Sequence, residues 1–342
     1  MQTPSTTNHS SFVNSNTVHS NGVISTLIDK VNQSIVGQEN VTKSMVIALL
    51  TGGHILLEGL PGTAKTRAAK TLSELLTLEF SRVQFTPDLL PSDVTGTQIY
   101  HKEESSLSFQ PGPIFHSMVL ADEINRAPAK VQAALLEAMA EGTVTVGGNT
   151  MKLPEPFLVI ATQNPIEQEG TYPLPEAQMD RFIMKVDVNY PDASAEMQII
   201  DLVRKEELGE VKAGNKEPIE LVGAAEGIAQ GKEEIKHIYT SQPMKQYIVD
   251  LVMATRFPHL YPQSNLAAWI EVGVSPRASI SLDKCSRAHA WIEGRDHVTP
   301  DDVRSVVNSV LGHRITPSFE ALSNSVTSKQ IVDELLLSVP LT

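Results

Sequence analysis

A glycine-rich loop at residues 59–66 has the residue types and spacing that bind a nucleotide polyphosphate. It follows the apolar run 55–57 and precedes a stretch of helical character, so it should join a buried strand to the start of a helix. In that setting, successive backbone N–H groups and the positive end of the helix dipole point toward one place, which suits phosphate. In the general pattern GxxxxGK followed by Ser or Thr, the lysine reaches the β- and γ-phosphates and the hydroxyl residue binds Mg²⁺. Lys65 and Thr66 take these two roles here.

One position of the loop departs from this pattern. Ala64 stands where the second glycine is expected, so the loop by itself is also compatible with a chance turn. Nearer the N-terminus than this loop, the turn around Gly37 is predicted to contact the base of the nucleotide. The residues predicted to hold the nucleotide are Val36, Gly37, Gly59, Pro61, Gly62, Thr63, Ala64, Lys65, Thr66 and Arg67.

Two adjacent carboxylates, Asp122 and Glu123, follow the apolar run 118–121. That run is predicted to be a buried strand, and α/β proteins place their ligands at the carboxyl ends of such strands. An aspartate there can hold Mg²⁺ through water, and the adjacent glutamate can orient or deprotonate the water that attacks a phosphoryl group. We therefore assign Asp122 to magnesium and Glu123 to water. The alternative is a surface acidic pair at a strand end.

Two further polar residues lie at the ends of predicted strands. Asn164 follows the run 157–161, where an amide can hold the attacking water or sense the γ-phosphate. Arg181 comes just before the run 183–188. Taken alone, the Asn-Pro pair at 164–165 is only a turn signal, and Arg181 is an ordinary surface ion-pair partner.

The composition is that of a soluble globular protein of two domains, with 342 residues of which 41% are hydrophobic and 20% charged. No apolar run is long enough to span a bilayer. Residues 1–22 are rich in Ser, Thr and Asn and are predicted to be a disordered tail without a secretion signal. The single cysteine, Cys285, permits no intrachain disulfide, which suits the cytoplasm. A net charge of −13 argues against nucleic acid as a partner.

Buried strands and helices alternate through the first half of the chain. Strands are predicted at 54–58, 79–85, 117–121, 157–161 and 183–188, with helices at 65–76 and 128–141. This alternation predicts an α/β fold with a largely parallel sheet covered on both faces. Hairpin signals at about 95–115 and 143–153 interrupt it, as surface loops or as functional inserts.

Helical periodicity dominates after residue 192, so the core is predicted to end there and a helical domain to occupy residues 193–342. Three helical faces carry the apolar residues. They are Met197, Ile200 and Val203; Met244, Ile248, Leu251 and Val252; and Ala278, Leu282, Cys285 and Ile292.

Five motifs, in order along the chain, resemble those of the MoxR family of AAA+ ATPases. They are GLPGTAKT at 59–66, ADEINRAPAK at 121–130, ATQNP at 161–165, PEAQMDRF at 175–182 and GVSPRA at 273–278. That family typically carries alanine before the lysine, so Ala64 becomes supporting evidence. The resemblance covers the chain from about residue 23 onward. It implies an AAA+ P-loop αβα sandwich at 23–192 and a smaller all-helical lid at 193–342.

The resemblance also implies a role for each matched residue. The loop 59–66 would be the Walker A motif, Asp122 with Glu123 would be Walker B, and Asn164 would be sensor 1. The hairpins fall where this clade carries its helix-2 insert and presensor-1 hairpin, with Tyr100 and Met151 as candidate contacts to a client or pore.

Arginines would complete the site. Arg181 resembles the arginine finger that enters the nucleotide site of the next subunit, which implies a homo-oligomeric ring, a hexamer in our interpretation. Arg277 follows the helix start Ser275-Pro276 and resembles sensor 2 of the lid, with ATP bound between core and lid. Arg126 and Arg314 are further candidates for subunit contacts or structural ion pairs.

The implied function is ATP hydrolysis with Mg²⁺, coupled to remodelling, maturing or inserting metal into a partner protein. The family commonly works with proteins that bear von Willebrand factor A domains. Two alternatives stay open at this point. A nucleic-acid motor can share this site architecture, although the acidic charge weighs against it. A nucleotide switch with little turnover, including a GTP switch, is the second; its guanine-reading candidate at 215–218 lacks the expected aspartate.

Overall fold

The centre of the first half of the chain is a five-stranded parallel sheet. The computed structural model describes residues 17–60, 62–164, 171–209 and 223–341. The strands in these ranges are β1 (Ile55–Gly59), β2 (Phe80–Gln84), β3 (Gly96–His101), β4 (Ser106–Pro111), β5 (Met118–Asp122), β6 (Thr143–Val146), β7 (Asn149–Lys152), β8 (Leu158–Gln163), β9 (Met184–Val188), β10 (Ile270–Val272) and β11 (Thr316–Pro317). The helices are α1 (Thr17–Ser34), α2 (Glu39–Thr51), α3 (Lys65–Leu75), α4 (Pro91–Thr95), α5 (Ala129–Glu141), α6 (Glu176–Met179), α7 (Ala193–Glu207), α8 (Ala224–His237), α9 (Gln242–Arg256), α10 (Leu266–Trp269), α11 (Pro276–Ile292), α12 (Pro300–Leu311), α13 (Phe319–Ser323) and α14 (Ser328–Ser338).

The strand order in the sheet is β2-β5-β8-β1-β9, and every neighbouring pair is parallel. All five strands therefore end at one edge, which we call the carboxyl edge, and begin at the opposite one, the amino edge. Each predicted strand of this sheet is present, with ends shifted by no more than two residues. The predicted α/β class is confirmed.

Side chains alternate between two hydrophobic cores along the central strands. Leu56, Val119 and Val159 point into a core that also contains α4 and α5. Their neighbours Ile55, Leu57, Leu120 and Ile160 point into a second core with α1, α2 and α3. This period-2 pattern, buried on both sides, is typical of a parallel sheet between two helical layers.

The second core continues without interruption into the C-terminal helical region. Buried side chains of α8, α9, α11, α12 and α14 belong to the same cluster as those of β1 and α2. The predicted helical character of this region is confirmed, with one addition, the short antiparallel pair β10–β11. The predicted boundary at residue 192 therefore separates two parts of the chain that share one core.

Two antiparallel hairpins project from the first domain, β3–β4 and β6–β7. The two hairpins lie side by side. The Gln98 side chain of the first hairpin packs against the backbone of Gly147 in the second, so closely that a Cβ atom on Gly147 would lie 2.1 Å from Gln98 Nε2. The first hairpin exposes Ile99, Tyr100 and Leu107. Met151, in the second, is partly buried.

The first helix begins earlier than the sequence predicts, and one of the three apolar helical faces lies at the surface. The predicted tail extends to residue 22, but α1 begins at Thr17; residues 1–16 lie outside the described residues. The apolar face of α7 is exposed, since Met197, Ile200 and Val203 are 63%, 51% and 40% accessible. Periodicity shows that residues share a face, but it does not show which way that face points. No helix in the described part of the chain has the length and apolar character needed to cross a bilayer.

Candidate nucleotide-binding site

The loop 59–66 connects β1 to α3 at the carboxyl edge. Gly59 closes β1, and a Cβ atom there would lie 2.3 Å from the carbonyl oxygen of Val188, so only glycine lets β1 and β9 approach this closely. Inside the loop, the Thr63 hydroxyl donates to the carbonyl of Leu60 at 2.9 Å. Pro61 lies outside the described residues.

Ala64 is the residue immediately before α3, and its φ of 59° lies in the left-handed region. Glycine adopts this conformation freely, whereas a residue with a Cβ pays about 1 kcal/mol for it. The departure from the general pattern is thus a slightly strained residue in the same backbone conformation that glycine would take. Gly62, with a φ of 83°, supplies a second left-handed position in the loop.

Lys65 is half-buried at the start of α3 and donates to the carbonyl of Gly59. Burial lowers the pKa of its ammonium group, while the nearby carboxylates of Asp122, Glu123 and Glu58 oppose that shift. The phosphate loop therefore contains a cation that is poorly hydrated and faces acidic groups. Thr66 and Arg67 follow in the same turn, and Arg67 forms an ion pair with Glu206 of α7.

Asp122 is the last residue of β5, and both of its carboxylate oxygens are engaged. Its Oδ1 accepts a hydrogen bond from the Thr162 hydroxyl at 2.6 Å, and its Oδ2 accepts from Arg82 Nη2 at 2.7 Å. The same Thr162 hydroxyl accepts from the backbone N–H of Glu123 at 2.9 Å. These hydrogen bonds join β2, β5 and β8 across the sheet.

Glu123 has a left-handed backbone, with a φ of 57°. Its Oε2 accepts from Gln84 Nε2 at 2.8 Å and lies 3.2 Å from Arg126 Nε. Non-glycine residues in this region of φ are uncommon and are often found at functional sites. The carboxylate is thus fixed by the end of β2 on one side and by its own following turn on the other.

Asn164 follows β8, which lies between β5 and β1 in the sheet. Its carbonyl accepts from Asn125 Nδ2 at 3.4 Å, which ties the segment after β8 to the turn after β5. The structure therefore brings Lys65, Asp122, Glu123 and Asn164 to one edge of the sheet.

The turn at Val36 and Gly37 also lies beside this edge. Gly37 has a φ of 77°, and a Cβ atom there would lie 3.0 Å from that of Ala195 in α7. The next residue, Gln38, donates its Nε2 to the carbonyl of Asn189, just beyond β9, at 2.9 Å. Contact of this turn with a base stays a prediction.

Arg181 and Arg277 lie at the other edge of the sheet. Arg181 precedes β9, and the N–H of Ile183 donates to the carbonyl of His54, the residue before β1. Five residues of strand separate the two edges by about 15 Å. Arg277 joins Arg181 in a cleft of about 250 Å³ that also contains Ile280 and Lys284. The family resemblance makes Arg277 a sensor 2 candidate in the lid, with ATP between core and lid; within one chain, the structure does not bring Arg277 to Lys65.

Asp180 organises this amino-edge cleft. Its carboxylate accepts from Arg314 Nε at 2.8 Å and from the Ser275 hydroxyl at 2.9 Å, and it lies 3.7 Å from Arg277 Nη1. Arg314 is 2% exposed and also donates to the carbonyl of Phe182. Between the two alternatives for Arg314, the structure supports a buried structural ion pair.

Several residues that hold the charged groups at the two edges were not predicted from the sequence. Thr162, Gln84 and Arg82 hold the two carboxylates of the carboxyl edge, and Asp180 anchors the amino edge. Thr162 and Gln84 share one signal, a polar residue at the end of a strand pattern. Arg82 sits inside β2 and has no local signal.

Comparison with known proteins agrees with this arrangement. Residues 54–184 match the family model described as ATPase family associated with various cellular activities (AAA), and residues 264–335 match an AAA lid domain. The fold and the site together define an AAA-type ATPase with its lid.

Relatives that match over most of their length identify the family within this class. The chain is 41% identical to Chaperone MoxR1 of Mycobacterium tuberculosis over 92% of this chain and 81% of that protein. It is 31% identical to Protein MoxR of Paracoccus denitrificans over 90% of this chain and 93% of the relative. The crystal structure of a candidate ATPase from Cytophaga hutchinsonii superposes with a TM-score of 0.86 at 42% identity, covering 95% of this chain and 97% of that one. The chain belongs to the MoxR family of AAA ATPases.

Proposed function

We propose that the protein hydrolyses ATP with Mg²⁺ at sites shared between the subunits of a hexameric ring, and that it couples hydrolysis to the remodelling of a partner protein. The observation that carries this proposal is the separation of Lys65 and Glu123 from Arg181 by the length of the sheet. An arginine at the amino edge cannot reach phosphates at the carboxyl edge of its own chain. It can reach those of a neighbour packed head to tail.

In this mechanism the loop 59–66 and Lys65 hold the phosphates of ATP. Thr66 and Asp122 offer hydroxyl and carboxylate oxygens, which are the donors Mg²⁺ prefers. Among the described residues, no group of three or more His, Cys, Asp or Glu side chains is placed to hold a metal ion. The ion would neutralise phosphate charge as it develops.

Glu123 would take a proton from the attacking water, and Asn164 would help position that water. The contacts of the Glu123 carboxylate with Gln84 and Arg126 both fall on Oε2, so Oε1 is the oxygen that we expect to accept the proton. Arg181 of the neighbouring subunit would stabilise the charge that develops on the transferred phosphoryl group, with Arg277 beside it.

Substitution Glu123→Gln tests the assignment. The amide keeps the shape of the side chain but cannot accept the proton, so ATP binding should be retained while steady-state phosphate release falls by about 10²-fold or more. Glu74→Gln is a matched control, because Glu74 is an exposed residue of α3 that pairs with Lys70. Phosphate release by Glu123→Gln at the wild-type rate would overturn the proposal.

The partner is proposed to be a protein, in keeping with the relative named Chaperone MoxR1. The exposed apolar residues of the β3–β4 hairpin, Ile99, Tyr100 and Leu107, offer a surface for it. Metal insertion or maturation of a protein with a von Willebrand factor A domain is the form of remodelling we propose, in the cytoplasm. Capture of such a protein by ATP-loaded Glu123→Gln, but not by a variant with Tyr100→Ser and Leu107→Ser, is the expected result.

A further inference from the structure

Helix α7 is poorly anchored within its own chain. Of its fifteen residues only Ala195 is buried. Helices of about this length are marginal in water unless an apolar face is packed. Its outward face carries Met197 and Ile200, 63% and 51% exposed, and Leu208 follows just beyond its end at 73%. Such a stripe on a helix with so little packing indicates a contact with another molecule.

The position of α7 connects this stripe to the nucleotide site. The helix starts soon after β9 leaves the carboxyl edge, and Asp192 caps it by accepting from the N–H of Ala195 at 2.8 Å. Near its other end, Glu206 pairs with Arg67 in the first turn of α3. The stripe therefore lies on the same side of the molecule as Lys65.

A face of complementary chemistry lies at the amino edge. Along α11, Arg277, Ile280 and Lys284 occur at a spacing that places them on one side of the helix, and all three are exposed. Ile280 is 59% accessible, and this side of α11 lines the cleft that contains Arg181. This α11 face therefore presents one apolar side chain, Ile280, between two cations, Arg277 and Lys284.

The exposed side of α7 has the opposite charge. Glu196, Asp201 and Glu207 are exposed around Met197 and Ile200, and two exposed cations, Arg204 and Lys205, lie in the last turn, so the net charge of these exposed groups is negative. The acidic groups around the apolar residues of α7 are complementary to the basic groups around Ile280 of α11. This complementarity favours contact of the α7 face with the α11 face over contact between two α7 faces or two α11 faces.

We propose that the outward face of α7 docks on the α11 face of a second copy of this chain. The inference rests on the shared site proposed above. If Arg181 of one copy approaches the phosphates held by Lys65 of another, the α11 face in the same cleft comes next to α7, which is tied to Lys65 through Arg67 and Glu206. The contact joins two different surfaces, so it repeats head to tail around a ring.

Cysteine cross-linking tests the contact directly. Cys285 is fully buried, so the full chain has no other exposed thiol. Ile200→Cys and Ile280→Cys would be introduced into separate chains, each also carrying Glu123→Gln, then mixed with ATP and a short bismaleimide. We expect a cross-linked dimer from this mixture. A mixture of Ile200→Cys with Leu337→Cys, a position on α14 that is more accessible than Ile280, should give none.

A charged variant gives a second measurement. Met197→Asp with Ile200→Asp should raise the protein concentration needed for ATP-dependent assembly about tenfold or more in sedimentation, because charge would enter an apolar contact. The single-chain fold is expected to persist, since both residues point outward; circular dichroism checks this.

Three results would overturn the docking proposal. One is assembly of Glu123→Gln chains without a cross-link between positions 200 and 280. Another is unchanged assembly of the charged variant. The third is resistance of Ile200→Cys to maleimide in the monomer, which would mean that the chain's own residues 210–222 cover the stripe. Failure of the proposed ATPase has a different signature: chains that carry Ile200→Cys or Ile280→Cys but keep Glu123 would assemble and cross-link without releasing phosphate.

Discussion

The two edges of the central sheet hold their charged groups in different ways. At the carboxyl edge, Asp122 and Glu123 are paired with Arg82 and Arg126, which are 49% and 40% exposed and able to exchange partners. At the amino edge, Asp180 and Arg314 form a buried pair that fixes the backbone before β9. One edge is arranged for exchange with a substrate, and the other is a rigid base from which Arg181 and Arg277 extend. If the site is completed as we propose, a single chain carries both of its parts but holds them at opposite edges of the sheet, too far apart to meet.

The largest effect should come from removing the arginine of the amino edge. Arg181→Ala should lower the turnover number by about 10³-fold or more while ATP binding by the same chain is retained, because the arginine acts on a neighbour's phosphates. Turnover is measured by phosphate release at several protein concentrations.

Mixing provides the control for this prediction. Chains with Arg181→Ala keep Glu123, and chains with Glu123→Gln keep Arg181, so mixed assemblies should contain some complete sites. The mixture should be more active than either variant alone. Activity that is no higher than the sum of the two would place both residues in the same site and remove the distinction between the edges.

Next in size is the effect of breaking the buried pair. Asp180→Asn should lower the free energy of unfolding by about 3 kcal/mol, since Arg314 would be left buried without its carboxylate. Urea denaturation measures the loss. Asp333→Asn, which disrupts an exposed pair with Lys329 on α14, should change stability by less than about 1 kcal/mol.

Acid should weaken the amino edge before carboxylates begin to protonate. Burial lowers the pKa of His54, the residue before β1, to about 4 from 6.5, so the folded chain keeps it neutral while the unfolded chain binds a proton. The neutral His54 therefore contributes its full stabilisation above pH 6.5. As the pH drops from 6.5 toward 4, the free energy of unfolding falls by about 3 kcal/mol from His54 alone. Burial also lowers the pKa of His313, which contacts the carbonyl of Phe182. Urea denaturation at pH 7.5 and pH 4.5 checks this; equal unfolding free energies would contradict it.

The smallest effect is expected at the carboxyl edge. Gln84→Ala removes one of two groups that hold the Glu123 carboxylate, so turnover should fall about threefold to tenfold with ATP affinity unchanged. Steady-state kinetics and nucleotide titration measure the two quantities. Gln110→Ala, on the exposed β4 strand, serves as the control. A loss as large as that of Glu123→Gln would show that the carboxyl edge is less adaptable than the comparison implies.

Much of the carboxyl edge could be predicted because its signals are local. The strand, turn and helix around residues 55–75 and the carboxylates after 118–121 are each contained in one short segment. The partners of those carboxylates could not be predicted in the same way. Arg82 and Thr162 meet Asp122 only because β2, β5 and β8 are neighbours in the sheet, and strand order is not written in any one segment.

The amino edge and α7 illustrate a second limit. Motif matching identified Arg277, but the edge at which it lies depends on how α11 packs against the rest of the chain. The apolar spacing in α7 was visible, but the same spacing describes a core face and a surface stripe. Burial depends on long-range packing, so the sequence alone did not separate these two outcomes.

The hydrophobic core that passes from β1 through α2 into α11 and α12 has a mechanical consequence. Close-packed interiors are stiff and transmit displacement with little loss. A chain whose helical region shares its core with the sheet should therefore move largely as one rigid body. We expect the conformational change that follows hydrolysis to be a rotation of whole subunits against one another, with the hinges at the boundaries between subunits.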